Sequence, residues 1–350
     1  MKRKWESSHF RANRRLLVKL SRKKSDPAGD VMAYRRRKFD YFPYAIAAPA
    51  LIILLIGMMF PMIWSLVYSF TDKHVAADAA FVGFQNYEYI FNDPTYVNSV
   101  WNTVLFTVGS MVGKVFFGVI IALILNMNIK FRNFLRTLFL LPWTLPSVVA
   151  IYTWMFLYTG NGGLLNSILL DLGIVKEGIA WLSDPNMGMV SLMLVNIWRG
   201  IPFIAITVLS GLQTIPEELY ESAQIDGAST IKTFTKVTLP LIMSVILVST
   251  LISTIWTIND FETVYLLTGG GPGQSTYTIP ITAFKYAFDS AIGHIGRACA
   301  AALSTVPVLI VIMLPILNNM LGDEEKLRRK AKRQQKREAR SARRARKAVS

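Results

Sequence analysis

The chain has a single cysteine, three histidines and, for 350 residues, few charges: 17% of the total, against about 25% in an average soluble protein. One cysteine, Cys299, excludes an intrachain disulfide and a cysteine-based metal centre. His9, His74 and His294 lie far apart and lack metal-ligand spacing, so no metal site is expected. Acidic residues are outnumbered at both ends. Residues 1–40 hold 14 Lys/Arg against 4 Asp/Glu, residues 323–350 hold 13 against 4, and residues 41–322 hold 11 against 14. The net charge of +16 therefore belongs to two tails that flank a nearly neutral centre. So little charge in the centre excludes a soluble enzyme. Basic residues confined to tails, without interleaved aromatics on a folded surface, argue against a nucleic-acid partner.

What the chain has is apolar residues, 52% of the total, arranged in blocks. A helix needs about 20 such residues to cross a bilayer. Six stretches satisfy this, at approximately 43–70, 100–126, 136–158, 188–211, 241–267 and 298–321. Prolines inside them do not veto the assignment, because neighbouring helices can satisfy the freed carbonyls. Gly109 and Gly113 form a GxxxG pair that predicts close helix packing. The polar first 39 residues are too long for the n-region of a cleaved signal, and the apolar segment after them exceeds a signal core, so a retained anchor is expected.

Orientation follows from the distribution of lysine and arginine. Both tails are basic, and the loop after the second stretch carries Lys130, Arg132 and Arg136 with no acid. The loops after the first and third stretches are acidic instead. Both termini, and the 212–240 segment, are thus expected on the cytoplasmic side of a multi-pass plasma-membrane protein. The expected organisation is a basic N-tail (1–40), an all-α transmembrane domain (41–322) and a basic C-tail (323–350) lying on anionic lipid headgroups.

Residues 214–240 are the informative segment. Pro216 sits where a first-turn proline belongs, followed by Glu217 and Glu218 at the positive end of a helix dipole. That helix is expected to run to about Ile225, where Asp226-Gly227 is a stop signal. Ser229 is placed to cap a second short helix ending at Leu239-Pro240. The result is a helix–turn–helix elbow, which physics alone leaves open as either a force-transmitting device or a surface loop.

Glu221-Ser222-Ala223, three residues, Gly227, nine residues, Val237, one residue and Leu239-Pro240 resemble the EAA motif of ABC importer permeases, E-A-A-x3-G-x9-I-x-L-P. Only Ser222 for Ala and Val237 for Ile depart from it. Further runs are similar to carbohydrate permeases of the maltose and glycerol-phosphate type: Phe81 to Tyr87, Asn92-Asp93-Pro94, Trp181 to Pro185 and Leu266 to Pro272. The resemblance covers residues 41–320 and omits the tails. It implies a type I ABC importer permease fold with six transmembrane helices. It also implies a second homologous permease chain, two cytoplasmic ATP-binding cassette subunits, an extracytoplasmic solute-binding protein and a sugar substrate. Coupling to the ATPase would fall to Glu221, Ser222, Ala223, Asp226, Gly227, Leu239 and Pro240, with Glu221 meeting a basic residue of the ATPase.

Candidate substrate residues come from two stretches. Ser253, Trp256 and Thr257 share one helix face at i, i+3 and i+4, and they match sugar-contacting positions of the maltose-type subunit, with Thr257 replacing an asparagine. The run with Asn196, Arg199, Gly200 and Phe203 resembles the family's other binding segment, with Gly200 and Phe203 on its contact positions. Lys114 and Arg199 are charges within apolar stretches, expected to face a wet cavity or a partner, with Asp260 and Glu262 as candidate counter-ions. No cofactor of its own is expected. Gly109 to Val115 is one residue short of a phosphate loop and lacks its Ser/Thr, so ATP would be hydrolysed by a partner chain. Rival readings are a same-type permease for glycerol phosphate or a polyol, a stand-alone ion-coupled carrier, and a non-transporting scaffold.

Overall fold

The computed structural model describes residues 42–75, 78–160, 162–289, 293–315 and 317–318. Both basic tails, and the cytoplasmic and lipid placement expected for them, lie outside the described residues. So does the end of the sixth apolar stretch. The chain divides into two units, Met1–Pro61 and Met62–Ser350. The described part of the first is the beginning of helix α1 (Phe42–Ser69), which carries Pro49 without interruption.

The second unit continues through α2 (Gln85–Asn92), α3 (Pro94–Asn126), α4 (Arg132–Thr144), α5 (Ser147–Leu157), α6 (Leu164–Asp171) and α7 (Pro185–Leu212). It then runs through α8 (Glu217–Ile225), α9 (Thr230–Thr233), α10 (Leu239–Ile258), α11 (Phe261–Leu267), α12 (Ile279–Phe288) and α13 (Ile295–Leu303). Among the described residues, β structure is limited to the isolated bridges Thr71–Phe81 and His74–His294. The second bridge brings two histidines that are distant in sequence to a ring separation of 4.4 Å. Burial, with Arg297 and His74 nearby, lowers the His294 imidazole pKa. Among the described residues no group of three or more His, Cys, Asp or Glu could hold a metal.

Among the described residues, five segments are long and apolar enough to cross a membrane: Tyr44–Ser69, Pro94–Asn126, Pro185–Leu212, Thr230–Ile258 and Ile295–Pro315. The expected third span is corrected: α4 and α5 are bent by 90° relative to each other, and they make a sixth crossing only if the bent pair counts as one. The cause lies at the junction, where Pro146 clashes with a helical predecessor and Leu145 is extended (φ −65°, ψ 140°). The fifth span is corrected at both ends. It stops at Ile258, because Asp260 starts α11 by accepting the Thr263 backbone N–H at 3.1 Å. It also begins before Pro240. Phe234–Thr238 form one π-turn that joins α9 to α10, so the elbow runs into the span without a break. Two other helices start earlier than hydropathy suggests, each by an aspartate cap followed by a first-turn proline. Asp93 accepts from Thr95 N at 2.9 Å, and Asp184 accepts from Asn186 N at 2.8 Å.

Helix α3 packs along α7, and glycines allow the approach. A Cβ at Gly109 would lie 2.7 Å from Met193 Sδ, at Gly113 2.4 Å from Ile197 Cδ1, and at Gly118 2.6 Å from Ile204 Cγ2. The GxxxG pair is thus a packing device. Beyond it, Ala122, Leu125, Ile204, Val208, Ile242 and Ile246 form a core that ties α10 to the same pair of helices.

Candidate functional site

A cavity of about 560 Å³ opens among α3, α4, α7, α10 and the α10–α11 break, within the usual size of small-molecule sites. One wall is aromatic. Trp256 is half exposed, its ring 4.8 Å from Phe203, and Phe203 lies 6.3 Å from Trp143. The opposite chemistry comes from Lys114, Asn196, Arg199, Asp260 and Glu262. A row of rings beside hydrogen-bonding groups can hold a molecule with one apolar face and an edge of hydroxyls.

Every expected substrate residue lines this one cavity: Asn196, Arg199, Gly200, Phe203, Ser253, Trp256 and Thr257. Their surroundings differ. Ser253 and Thr257 are buried in the wall, whereas Trp256 offers its ring to the space. The Thr257 hydroxyl donates to Ser253 O at 2.8 Å and accepts from Lys114 Nζ at 2.8 Å. Asn196 Nδ2 donates to Asp260 Oδ2 at 2.7 Å. Because a carboxylate only accepts, this fixes the amide orientation and leaves Asn196 Oδ1 buried without a protein donor.

The candidate pairing of Asp260 or Glu262 with Lys114 or Arg199 is corrected in one respect: no direct ion pair forms, although the Asp260 charge acts on Lys114. Among the described residues neither cation has a carboxylate oxygen within 4.0 Å. Asp260 is engaged by Asn196, Thr263 N and Thr263 Oγ1, and Arg199 Nη1 donates to Thr263 Oγ1 at 3.1 Å. Capping of α11 takes up the carboxylate. Trp143 and Pro142 were not anticipated in this site; the signal was Pro146, since broken helices flank transport sites.

The elbow is built as its residue order suggests. Helix α8 ends in a Schellman motif: Ala228 N–H donates to Ala223 O at 2.9 Å and Gly227 N–H to Gln224 O at 3.0 Å. That motif needs a left-handed residue, and Gly227 supplies it with φ +69°. Pro216 is the N-cap residue, one place before the first turn. Ser229 caps α9 through a 3.4 Å contact with Lys232 N. Glu221, Ser222, Asp226 and Gly227 are exposed together, Ala223 is buried, and Leu239 and Pro240 sit in the first turn of α10. A crevice of about 590 Å³ lies under the elbow, lined by Met127, Tyr220, Gln224 and Phe234 among others.

Residues 114–321 match the family described as the binding-protein-dependent transport system inner membrane component. The chain is 36% identical to the sulfoquinovosyl glycerol transport system permease protein SmoG of Agrobacterium fabrum, over 75% of this chain and 83% of that one. It is 32% identical to the trehalose/maltose transport system permease protein MalF of Thermococcus litoralis, over 83% and 96% respectively. A solved bacterial ABC transporter involved in alginate import shares the fold, with a TM-score of 0.70 at 24% identity, covering 82% of this chain and 97% of that one. The long apolar helices fit an importer permease fold, and the chain belongs to the family of binding-protein-dependent transport system inner membrane components.

Proposed function

We propose that this chain is the membrane permease subunit of an ATP-driven importer that moves a sugar or oligosaccharide by alternating access. One observation carries the reading. Thr230–Ile258 is a single 29-residue helical run, about 40 Å long at 1.5 Å per residue, with the elbow at one end and Ser253, Trp256 and Thr257 at the other. A push on the elbow is therefore delivered to the cavity wall. The relatives, permeases of sulfoquinovosyl glycerol and trehalose/maltose transport systems, support a carbohydrate cargo.

In this reading the chain works with a second homologous permease, two ATP-binding cassette subunits that hydrolyse the nucleotide, and an extracytoplasmic binding protein. It holds no cofactor itself, and both termini face the cytoplasm. Gly109 to Val115 lie inside α3, with the glycines against α7, which is no place for a phosphate loop. Proteoliposomes test the reading: sugar uptake by the assembled complex should require ATP. Uptake by this chain alone down an ion gradient, without nucleotide, would overturn it.

Trp256→Ala removes a half-exposed indole ring from the cavity wall. Uptake is expected to fall by roughly ten-fold or more, the effect of losing about 1.4 kcal/mol or more of ring contact, with membrane abundance unchanged. Wild-type transport kinetics in this variant would take Trp256 out of the path.

A further inference from the structure

The cavity contains more cationic hydrogen-bonding capacity than the protein itself uses. Lys114 is 4% exposed and lies in the middle of α3, where an uncompensated charge is costly. An ammonium has three donors, yet Nζ donates to one neutral oxygen, Thr257 Oγ1. Arg199, with five donors, uses one on Thr263 Oγ1. The nearby carboxylate of Asp260 accepts three hydrogen bonds, one from Asn196 and two from Thr263, and none from either cation. Glu262, the other acid at the cavity, is exposed in the first turn of α11.

Gly200 gives this arrangement its passage. A Cβ there would lie 2.4 Å from Lys114 Cε and 3.0 Å from its Nζ. Any side chain at position 200 would push the ammonium out of its place, so the glycine serves the lysine as well as the packing of α3 on α7.

We infer that the cargo is an acidic saccharide, and that Lys114 and Arg199 receive its carboxylate or sulfonate oxygens while Trp256 and Phe203 take the ring face. The inference rests on the reading of this cavity as a sugar path. A charged oxygen supplies the direct carboxylate-type contact that neither cation makes within the protein, the bound cargo neutralises the buried lysine, and the donors share one cavity with the aromatic rings. A neutral sugar would leave both cations with weaker partners.

The test uses the full chain assembled with its partner permease and ATPase subunits in nanodiscs, without the extracytoplasmic binding protein, whose own selectivity would mask this site. Equilibrium dialysis with labelled methyl glucuronide and methyl glucoside measures each affinity. The glucuronide should bind more tightly by about 10- to 100-fold, the usual effect of a hydrogen bond to a charged group. Lys114→Met and Gly200→Ala should bring the ratio close to one, and Lys114→Arg should keep part of it. Trp256→Ala should weaken both sugars alike. Arg199→Gln, expected to lower the ratio too, carries the test if Lys114→Met yields no monodisperse complex. Equal affinity for the two sugars, or preference for the glucoside, with Trp256→Ala still weakening binding, would overturn the acidic-cargo inference and leave the sugar path standing. Binding of neither sugar would sink the sugar path and this inference with it.

Discussion

Glu221→Arg is expected to abolish ATP-dependent uptake by the assembled complex while the chain remains inserted at wild-type abundance. Glu221 is exposed on α8, and its side chain makes no hydrogen bond or ion pair among the described residues, so removing it costs the fold nothing. Its proposed partner is a basic side chain of the ATPase subunit. Reversing one charge of a pair that is closed to water costs about 2–5 kcal/mol, or roughly 30- to several-thousand-fold in occupancy of the coupled state. The second variant in this series is Gly227→Val. It keeps the charge but forces a β-branched residue to φ +69°, which costs about 1–2 kcal/mol or more. The Schellman turn would reopen and Glu221 would point elsewhere. Both variants should lose stimulation of ATP hydrolysis by the binding protein, and both should retain less ATPase subunit through affinity purification. Normal uptake by either would remove the elbow from the coupling path.

The elbow was the most legible part of the molecule, because its signals are local. Asp226-Gly227 marks a helix stop through backbone sterics alone, and Ser229 marks a start through one side-chain oxygen. Spans α3 and α7 were legible from hydropathy, and their true starts at Pro94 and Pro185 are written in the Asp-Pro pairs that precede them. The misreadings share a cause. Hydropathy averages over about 20 residues and cannot see a break that one residue makes. Leu145-Pro146 and Asn259-Asp260 each interrupt a stretch that remains apolar on both sides. The reverse error occurred at Leu239-Pro240, where proline suggested a boundary. There a π-turn takes up the missing N–H, with Leu239 N–H reaching back to Phe234 O, and the helix continues.

The site residues were legible as a set and illegible as a network. Spacing put Ser253, Trp256 and Thr257 on one face, and all three line the cavity. No sequence rule could show that Asp260 would spend its carboxylate on capping α11, and so leave Lys114 and Arg199 to donate their side-chain hydrogen bonds to hydroxyls. That outcome depends on how far α3, α7 and α11 stand apart, which is set by tertiary packing. The His74–His294 contact was hidden for the same reason.

That packing distance makes Gly113 a position where a single added side chain should force α3 and α7 apart. A Cβ there would lie 2.4 Å from Ile197 Cδ1 and 2.9 Å from Ile197 Cγ1, inside van der Waals contact. Ile197 can rotate to avoid a methyl group but cannot clear a whole leucine, so Gly113→Leu must separate α3 from α7. Overpacking of this kind costs about 1–3 kcal/mol in a well-packed core. Here the separation also moves Lys114, the next residue along α3, away from Gly200 and Thr257. The expected result is a fall of several degrees in the thermal midpoint of the detergent-solubilised complex, measured by size-exclusion chromatography after heating, together with loss of uptake. Ile197→Ala alone should also destabilise, by opening a cavity. Combined with Gly113→Leu, it should restore part of the lost stability, because the two residues share one volume and their effects cannot add. Strict additivity, or a wild-type midpoint for Gly113→Leu, would mean that α3 and α7 are not held together by this contact. The glycine at 113 would then owe its place to something other than the close approach of the two helices.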